Sequence, residues 1–323
     1  LKTLNKIIRL LQKLQLYKED VEYTYAPDDL HIEVLNFWKS QRKEDVWLYQ
    51  FVVHHCADYL TKSNSLLLSS VFGPRRAIDK SKSKVKLFYT GENVRRFHEY
   101  RDYCLSSVDI SLGFDYIDAT NYLRFPIWLF YFFAVDFHQR DIQVVLDNFY
   151  QPGSSAKDKF CAMVCSHDKN GIRSRLYHAL SEIEQVDSAG SFMPNTNELK
   201  SKFNNDKISF LKQYKFNICP ENTNHDGYVT EKLFEAIRAG TVPIYWGAKG
   251  QPEPDVLNHD AIVRWDDKFS VKKVMRIVED LHSSKKRYQE FTAQPKFKDT
   301  AAEYIADRFS RLRNLLIEKF EHH

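Results

Sequence analysis

Short apolar runs alternate with amphipathic stripes and polar loops along most of the chain, the pattern of strands each followed by a helix. The clearest case is the stretch 216–247, FNICPENTNHDGYVTEKLFEAIRAGTVPIYWG. Residues 216–219 read as a buried strand that stops at Pro220, and 221–227 as a loop of turn-forming residues. Thr230 is placed to cap a helix whose apolar face is Leu233, Phe234, Ala236 and Ile237. Gly240 stands where a left-handed residue ends such a helix, and 242–246 is the next strand. Strand, loop, helix and strand make a βαβ unit with parallel strands. The loop then falls at their carboxyl ends, where open α/β sheets bind ligands.

The same logic recurs on both sides of this stretch. Residues 1–18 pattern as an amphipathic helix with Leu4, Ile7, Ile8, Leu11 and Leu14 on one side and lysines on the other. Such a helix can pack on its own domain or touch a membrane surface. Residues 32–38 and 85–90 read as strands, 47–59 as helix or strand then helix, and 65–72 as largely apolar. Further on, 159–166 is a strand, 167–171 a polar loop, and 172–183 a helix with Arg173 in its first turn. A short strand at 186–190, an irregular stretch at 193–201 and a helix at 207–213 lead back into residue 216. Residues 261–265 form a last strand, Ser270 caps a helix that runs through His282, and 301–320 is a final helix. The Gly, Pro and Ser content of 135–157 marks a boundary and linker. The expected organisation is therefore a first α/β domain over 1–150, a second over 151–295, and a closing segment 296–323 able to pack back on the first.

Composition narrows the classes. A chain of 323 residues with 43% hydrophobic and 14% aromatic content can fill two cores and is not disordered. A net charge of +4 is too mild to imply nucleic acid or an anionic membrane by itself. The longest apolar run, 127–135, is too short to cross a bilayer. No leader pattern opens the chain; Leu1 as first residue reads as a trimmed start, and Glu321-His322-His323 as the remnant of a tag. The five cysteines are odd in number and mostly sit in apolar strings, as reduced core residues of a cytoplasmic protein do. Cys161 and Cys165 have no second pair with which to build a zinc site.

Charge placement supplies the candidate chemistry. A helix start offers free N–H groups and partial positive charge, and Lys232 in the first turn asks for an anion in answer. Arg173 repeats that arrangement; its plain alternative is an exposed helix charge. Glu231 can accept from sugar hydroxyls, and Asn222 and Tyr228 add an amide and a phenol. Glu92 follows the strand 85–90 directly, beside Gly91, so it is either a reactive carboxylate at a sheet edge or a helix cap. Asp115 and Arg124 either pair, line a cleft or serve structure alone, and Arg75 with Arg76 is either a phosphate contact or a solvated loop.

The string GYVTEKLFEAIRAGTVPIYWG closely resembles the signature of the family 10 α-1,3-fucosyltransferases, in which a Tyr-Val-Thr-Glu-Lys box precedes a helix and a Pro-Ile-Tyr-Trp-Gly strand. The upstream FNIC-x-EN matches too. Phe-Tyr-Thr-Gly-Glu-Asn at 88–93 looks like the family's segment carrying the catalytic base, which would be Glu92. Gly113-Phe114-Asp115 and Tyr122-Leu123-Arg124-x-Pro126 are similar to further family segments, and Ile172-Arg173 to one that meets the donor diphosphate. The resemblance spans roughly 32 to 282 and is strongest at 88–93 and 216–247; the loop 224–226 departs from it.

The resemblance implies a GT-B fold: two Rossmann-like α/β domains with parallel sheets facing each other across a cleft. It implies an inverting transfer of L-fucose from GDP-β-L-fucose to the 3-hydroxyl of GlcNAc in N-acetyllactosamine or Lewis-type glycans. Arg173, Asn222, Tyr228, Glu231 and Lys232 would bind the donor, with Glu231 on ribose; Glu92 would be the base, and Asp115, Arg124 and Tyr245 would lie along the cleft. Expulsion of a nucleoside diphosphate needs positive charge at the leaving oxygens. No Asp-x-Asp occurs in the chain, so Arg173, Lys232 and a helix start would supply it, with no metal and no cofactor besides the co-substrate. The expected partners are GDP-fucose and a GlcNAc-containing acceptor, not nucleic acid, in the cytoplasm with peripheral contact at the inner membrane left open. Transfer to the 4-hydroxyl of type 1 chains, and a non-catalytic glycan-binding protein on the same scaffold, are the alternatives.

Overall fold

A computed structural model describes residues 30–38, 42–150, 157–265 and 271–322. The chain divides into two compact units, Leu1–Phe137 with Asp307–His323, and His138–Ala306. The expected helix over 1–18 and the Ser270 cap lie outside the described residues.

Unit 1 holds a five-stranded parallel sheet in sequence order: β1 (Ile32–Leu35), β2 (Leu66–Ser69), β3 (Val85–Tyr89), β4 (Ile110–Gly113) and β5 (Tyr122–Arg124). Leu66, Leu67 and Leu68 are all fully buried, as a parallel strand covered on both faces requires. β1 ends earlier than its apolar run, because Asn36 turns left-handed with φ 59° and its amide donates to the Tyr100 hydroxyl at 3.2 Å. Unit 2 orders its parallel strands β10-β9-β8-β6-β7, with β6 (Lys159–Met163), β7 (Val186–Ser188), β8 (Tyr214–Ile218), β9 (Val242–Tyr245) and β10 (Val263–Arg264). Leu176, Leu180, Val274 and Val278 pack on Met163, Phe216 and Ile244 in one core; Phe210, Leu211 and Tyr214 belong to another. The helix Glu231–Arg238 is followed by Gly240 at φ 69°, the left-handed stop that its sequence predicts.

Three expectations change. The supposed linker 135–157 contains the helix Gln139–Asp147, whose Ile142 and Leu146 are buried. It belongs to unit 2, where Phe149 meets Phe234 and Phe297 edge-on at 6.2 and 5.2 Å, so the division falls at 137/138 rather than 150/151. The final helix, Ala301–Glu321, starts in unit 2 and continues in unit 1 from Asp307. There Phe309 is fully buried among Phe125 at 5.5 Å, Phe137 at 5.2 Å and Trp47 at 5.5 Å. An unforeseen helix, Lys285–Ala293, buries none of its residues fully, which is why apolar periodicity missed it.

Candidate functional site

In unit 2 the chain goes from β6 to β7 on one side and later places β8 on β6's other side. That reversal opens a crevice beyond the carboxyl ends of β6 and β8, the place where doubly wound sheets hold ligands. Two loops meet there. After β6, Asp168 accepts the N–H groups of Arg173 at 3.1 Å and Ser174 at 2.9 Å, and the Ser174 hydroxyl at 2.5 Å. It thereby caps the helix Ile172–Ser181, whose N-cap Gly171 has no side chain to do so. Burial opposes the Asp168 charge, yet these donors hold its carboxyl below the ordinary range.

Arg173 is buried rather than an exposed helix charge. Its guanidinium donates to the His167 carbonyl and, at 2.8 Å, to Asn222 Oδ1 in the loop after β8. Arg173 and Asn222, 49 positions apart in the chain, are thus in direct contact.

Lys232 donates to Thr230 Oγ1 at 2.8 Å and to Glu221 Oε2 at 3.1 Å, with Glu231 Oε1 at 3.7 Å. Burial works against its charge, but the Glu221 and Glu231 carboxylates together raise the ammonium above its ordinary value. Thr230 does not cap with its side chain; the hydroxyl lies 3.0 and 2.8 Å from the two Glu221 oxygens. Arg173, Lys232 and a third cation, Lys207, line one void of about 10 Å³ with Asn217, Cys219 and Pro220. Lys207 is held by Glu235. Tyr228 is buried, and Tyr245 is fully buried at the end of β9 instead of lining an open cleft, because every residue of that strand faces the interior.

In unit 1 a cavity of about 480 Å³ lies beyond the carboxyl ends of β1, β2 and β3. Trp38, Phe72, Tyr89, Phe130 and Tyr131 line it, together with Glu92. Glu92 sits in a tight turn in which its N–H donates to Thr90 Oγ1 at 3.0 Å, and its Oε2 accepts from Arg96 at 2.8 Å. So it is at a sheet edge in a cavity wall, not at a helix cap. Asp115 and Arg124 are not among the described residues lining that cavity. Arg124 is buried, donates to the Phe114 carbonyl at 2.8 Å and lies 4.6 Å over the Tyr116 ring. Arg75 is held by Asp102 through two bonds of 2.6 and 2.9 Å, so it is neither a bare loop cation nor part of the crevice in unit 2. Among the described residues no three His, Cys, Asp or Glu side chains gather as a metal site.

The description "Glycosyltransferase family 10 (fucosyltransferase) C-term" matches residues 154–309, and "Alpha-(1,3)-fucosyltransferase FucT N-terminal domain" matches 32–131. The chain belongs to glycosyltransferase family 10. The family's two parts cover unit 2 almost whole and all five strands of unit 1. One relative is the Helicobacter pylori alpha-(1,3)-fucosyltransferase FucT, 28% identical over an alignment of 296 residues that covers 81% of this chain and 59% of that protein. Human alpha-(1,3)-fucosyltransferase 7 is 31% identical over 144 residues, 44% of this chain and 40% of the relative. The chain thus spans between two fifths and three fifths of these two relatives' lengths. A solved alpha1,3-fucosyltransferase has the same fold, with a TM-score of 0.61 at 23% identity over 93% of this chain and 95% of the other. A crystal structure of alpha1,3-fucosyltransferase with GDP-fucose is a second match, with a TM-score of 0.59 at 23% identity over 90% of this chain and 91% of the other. The fold is therefore the GT-B type of this family, built on two parallel α/β sheets.

Sequence reasoning missed Glu221, Asp168, Lys207 and Arg96. Glu221 lies inside the motif FNIC-x-EN, so it was in view, but nothing local says that its carboxylate returns to the helix start nine positions on.

Proposed function

We propose that this family 10 member is an inverting α-1,3-fucosyltransferase. It moves L-fucose from GDP-β-L-fucose to the 3-hydroxyl of GlcNAc in N-acetyllactosamine or Lewis-type glycans. The observation that carries this reading is the convergence of Arg173, Lys232 and Asn222 at the crevice between β6 and β8, two cations and an amide where a diphosphate would lie. Arg173 and Lys232 meet the leaving diphosphate; such charge-assisted donors in a partly dry site lower the barrier by about 3–4 kcal/mol each. Glu231 takes the ribose hydroxyls, and Asn222 and Tyr228 complete the donor set. Glu92 accepts the proton of the attacking hydroxyl, a poor nucleophile at neutral pH. A single displacement inverts the β-linked donor to an α-linked product. The transfer runs without a divalent metal, in the cytoplasm. No helix among the described residues is long and apolar enough to cross a membrane. Support for the substrates comes from the relatives' names, including the primate 4-galactosyl-N-acetylglucosaminide 3-alpha-L-fucosyltransferases, and from the solved structure with GDP-fucose.

The test is incubation with GDP-fucose and a panel of type 1 and type 2 disaccharides, with and without EDTA. The expected product is fucose at the 3-hydroxyl of a type 2 acceptor, unaffected by chelation. Fucose on the 4-hydroxyl, no transfer at all, or activity lost in EDTA refutes the linkage, the enzyme assignment or the metal independence, respectively.

A further inference from the structure

Glu221 follows β8 and is 1% exposed. Its carboxylate is turned wholly toward the start of the helix Glu231–Arg238. Oε1 accepts the Thr230 N–H at 2.7 Å, the Thr230 hydroxyl lies within 3.0 Å of both oxygens, and Oε2 accepts Lys232 Nζ at 3.1 Å. The residue is fixed from behind as well. Its own N–H donates to the Trp246 carbonyl at 2.8 Å. Gly247, at φ 152°, leaves room for it: a Cβ there would stand 2.8 Å from Glu221 Cγ and 2.7 Å from the Tyr245 hydroxyl. A cap alone needs only the bond to Thr230, whereas this carboxylate also reaches the cation.

We propose that Glu221 is a positioning residue, which keeps the Lys232 ammonium charged and fixed at the void between the β6 and β8 loops, ready for a nucleoside diphosphate. The inference rests on the reading that Lys232 meets the donor's diphosphate. Its physical basis is that an ammonium taken out of water sheds its proton unless an anion stays beside it. The groups facing Lys232 set the balance. Glu221 comes from the β8 loop, Glu231 from Lys232's own helix at 3.7 Å, and Tyr228 from the loop before it. Arg173 and Lys207 line the same void and oppose the charge, although Glu235 answers Lys207. Glu231 is 22% exposed at the side chain and Glu221 is 0%, so water weakens the first attraction and not the second.

Glu221→Gln keeps the shape and an acceptor for the Thr230 N–H but removes the charge. Two readouts separate a positioning role from a merely structural one. The first is the pH dependence of Lys232 acylation by acetic anhydride in the nucleotide-free protein, followed by mass spectrometry of its peptide. The second is the ratio of variant to parent affinity for GDP by calorimetry between pH 7 and 10; taking the ratio cancels the titration of the nucleotide. In the variant, Lys232 becomes reactive at lower pH than an ordinary exposed lysine, and the affinity ratio falls by up to about tenfold per pH unit above its midpoint. Glu221→Asp, with the charge withdrawn by one methylene, lies between parent and Gln; it carries the test if the Gln protein does not fold. Unchanged acylation in a folded Glu221→Gln protein overturns the inference, even if its melting temperature drops. Lys232→Ala is the separate control: normal GDP affinity there ends the donor reading, while the acylation profile still decides the role of Glu221.

Discussion

Replacing Lys232 with methionine removes one charge and strands another. Glu221 Oε2 stands 3.1 Å from the ammonium, and its side chain is 0% exposed, so no water takes the lysine's place without rearrangement. Breaking a buried pair from one side costs about 3–5 kcal/mol, because the remaining carboxylate keeps its Thr230 donors but stays desolvated without the Lys232 counter-charge. For a unit the size of His138–Ala306 this corresponds to a fall in melting temperature of roughly 6–20 °C. The double substitution Lys232→Met with Glu221→Gln removes both charges and should recover most of that loss, since the glutamine oxygen still accepts the Thr230 N–H. Nucleotide binding should not recover. Losing a charge-assisted hydrogen bond to phosphate, worth about 1.5–3 kcal/mol, weakens GDP roughly ten- to a hundredfold in the single and the double variant alike. Thermal melts and calorimetry on the three proteins read both quantities. A single variant that melts within 1 °C of the parent refutes the buried pair; a double variant that regains parental GDP affinity refutes the contact with diphosphate.

Glu92→Gln should abolish transfer while GDP-fucose still binds, as a base acting on the acceptor requires; near-normal turnover removes Glu92 from the reaction. Phe309→Ala opens a cavity among Phe125, Phe137 and Trp47 and should destabilise unit 1 by about 3–5 kcal/mol, read by urea unfolding; a loss below about 1 kcal/mol means the final helix contributes little to that core. Burial pushes the Cys56 and Cys104 thiols up to about 11, so their contribution to stability is complete below the unfolded thiol value near 8.5 and is lost as pH rises through about 11. Lys157 and Lys296, lowered to about 8 by burial, act with the opposite sign from there to their unfolded value near 10.4, so the parent's slope mixes the two. The double variant Cys56→Ala and Cys104→Ala should therefore lose stability less steeply than the parent between pH 8.5 and 11, and parallel profiles refute the assignment.

How much could be read in advance follows the range of each interaction. The stretch 216–247 yields strand, loop, helix and strand from its own letters, since apolar spacing, a cap position and Gly240 act within a few residues of each other. Arg173 and Lys232 were legible for the same reason: each is a cation in the first turn of a helix after a strand. The acidic answer to Lys232 was not legible. Glu221 is one of many carboxylates in the chain, and only the packing of the β8 end against the helix start brings it within 3.1 Å. The strand order of unit 2 likewise depends on pairings between β6 and β8, which lie more than fifty residues apart, and that order is what places Arg173 beside Asn222. Arg75 looked available until the fold delivered Asp102, and 135–157 looked like linker until Phe149 found Phe234 and Phe297. Short-range periodicity fixed which faces are buried and which helix starts carry charge. Which opposite charge or ring each of them meets was decided by the fold, because buried electrostatics and packing depend on neighbours in space, and chain distance does not encode them.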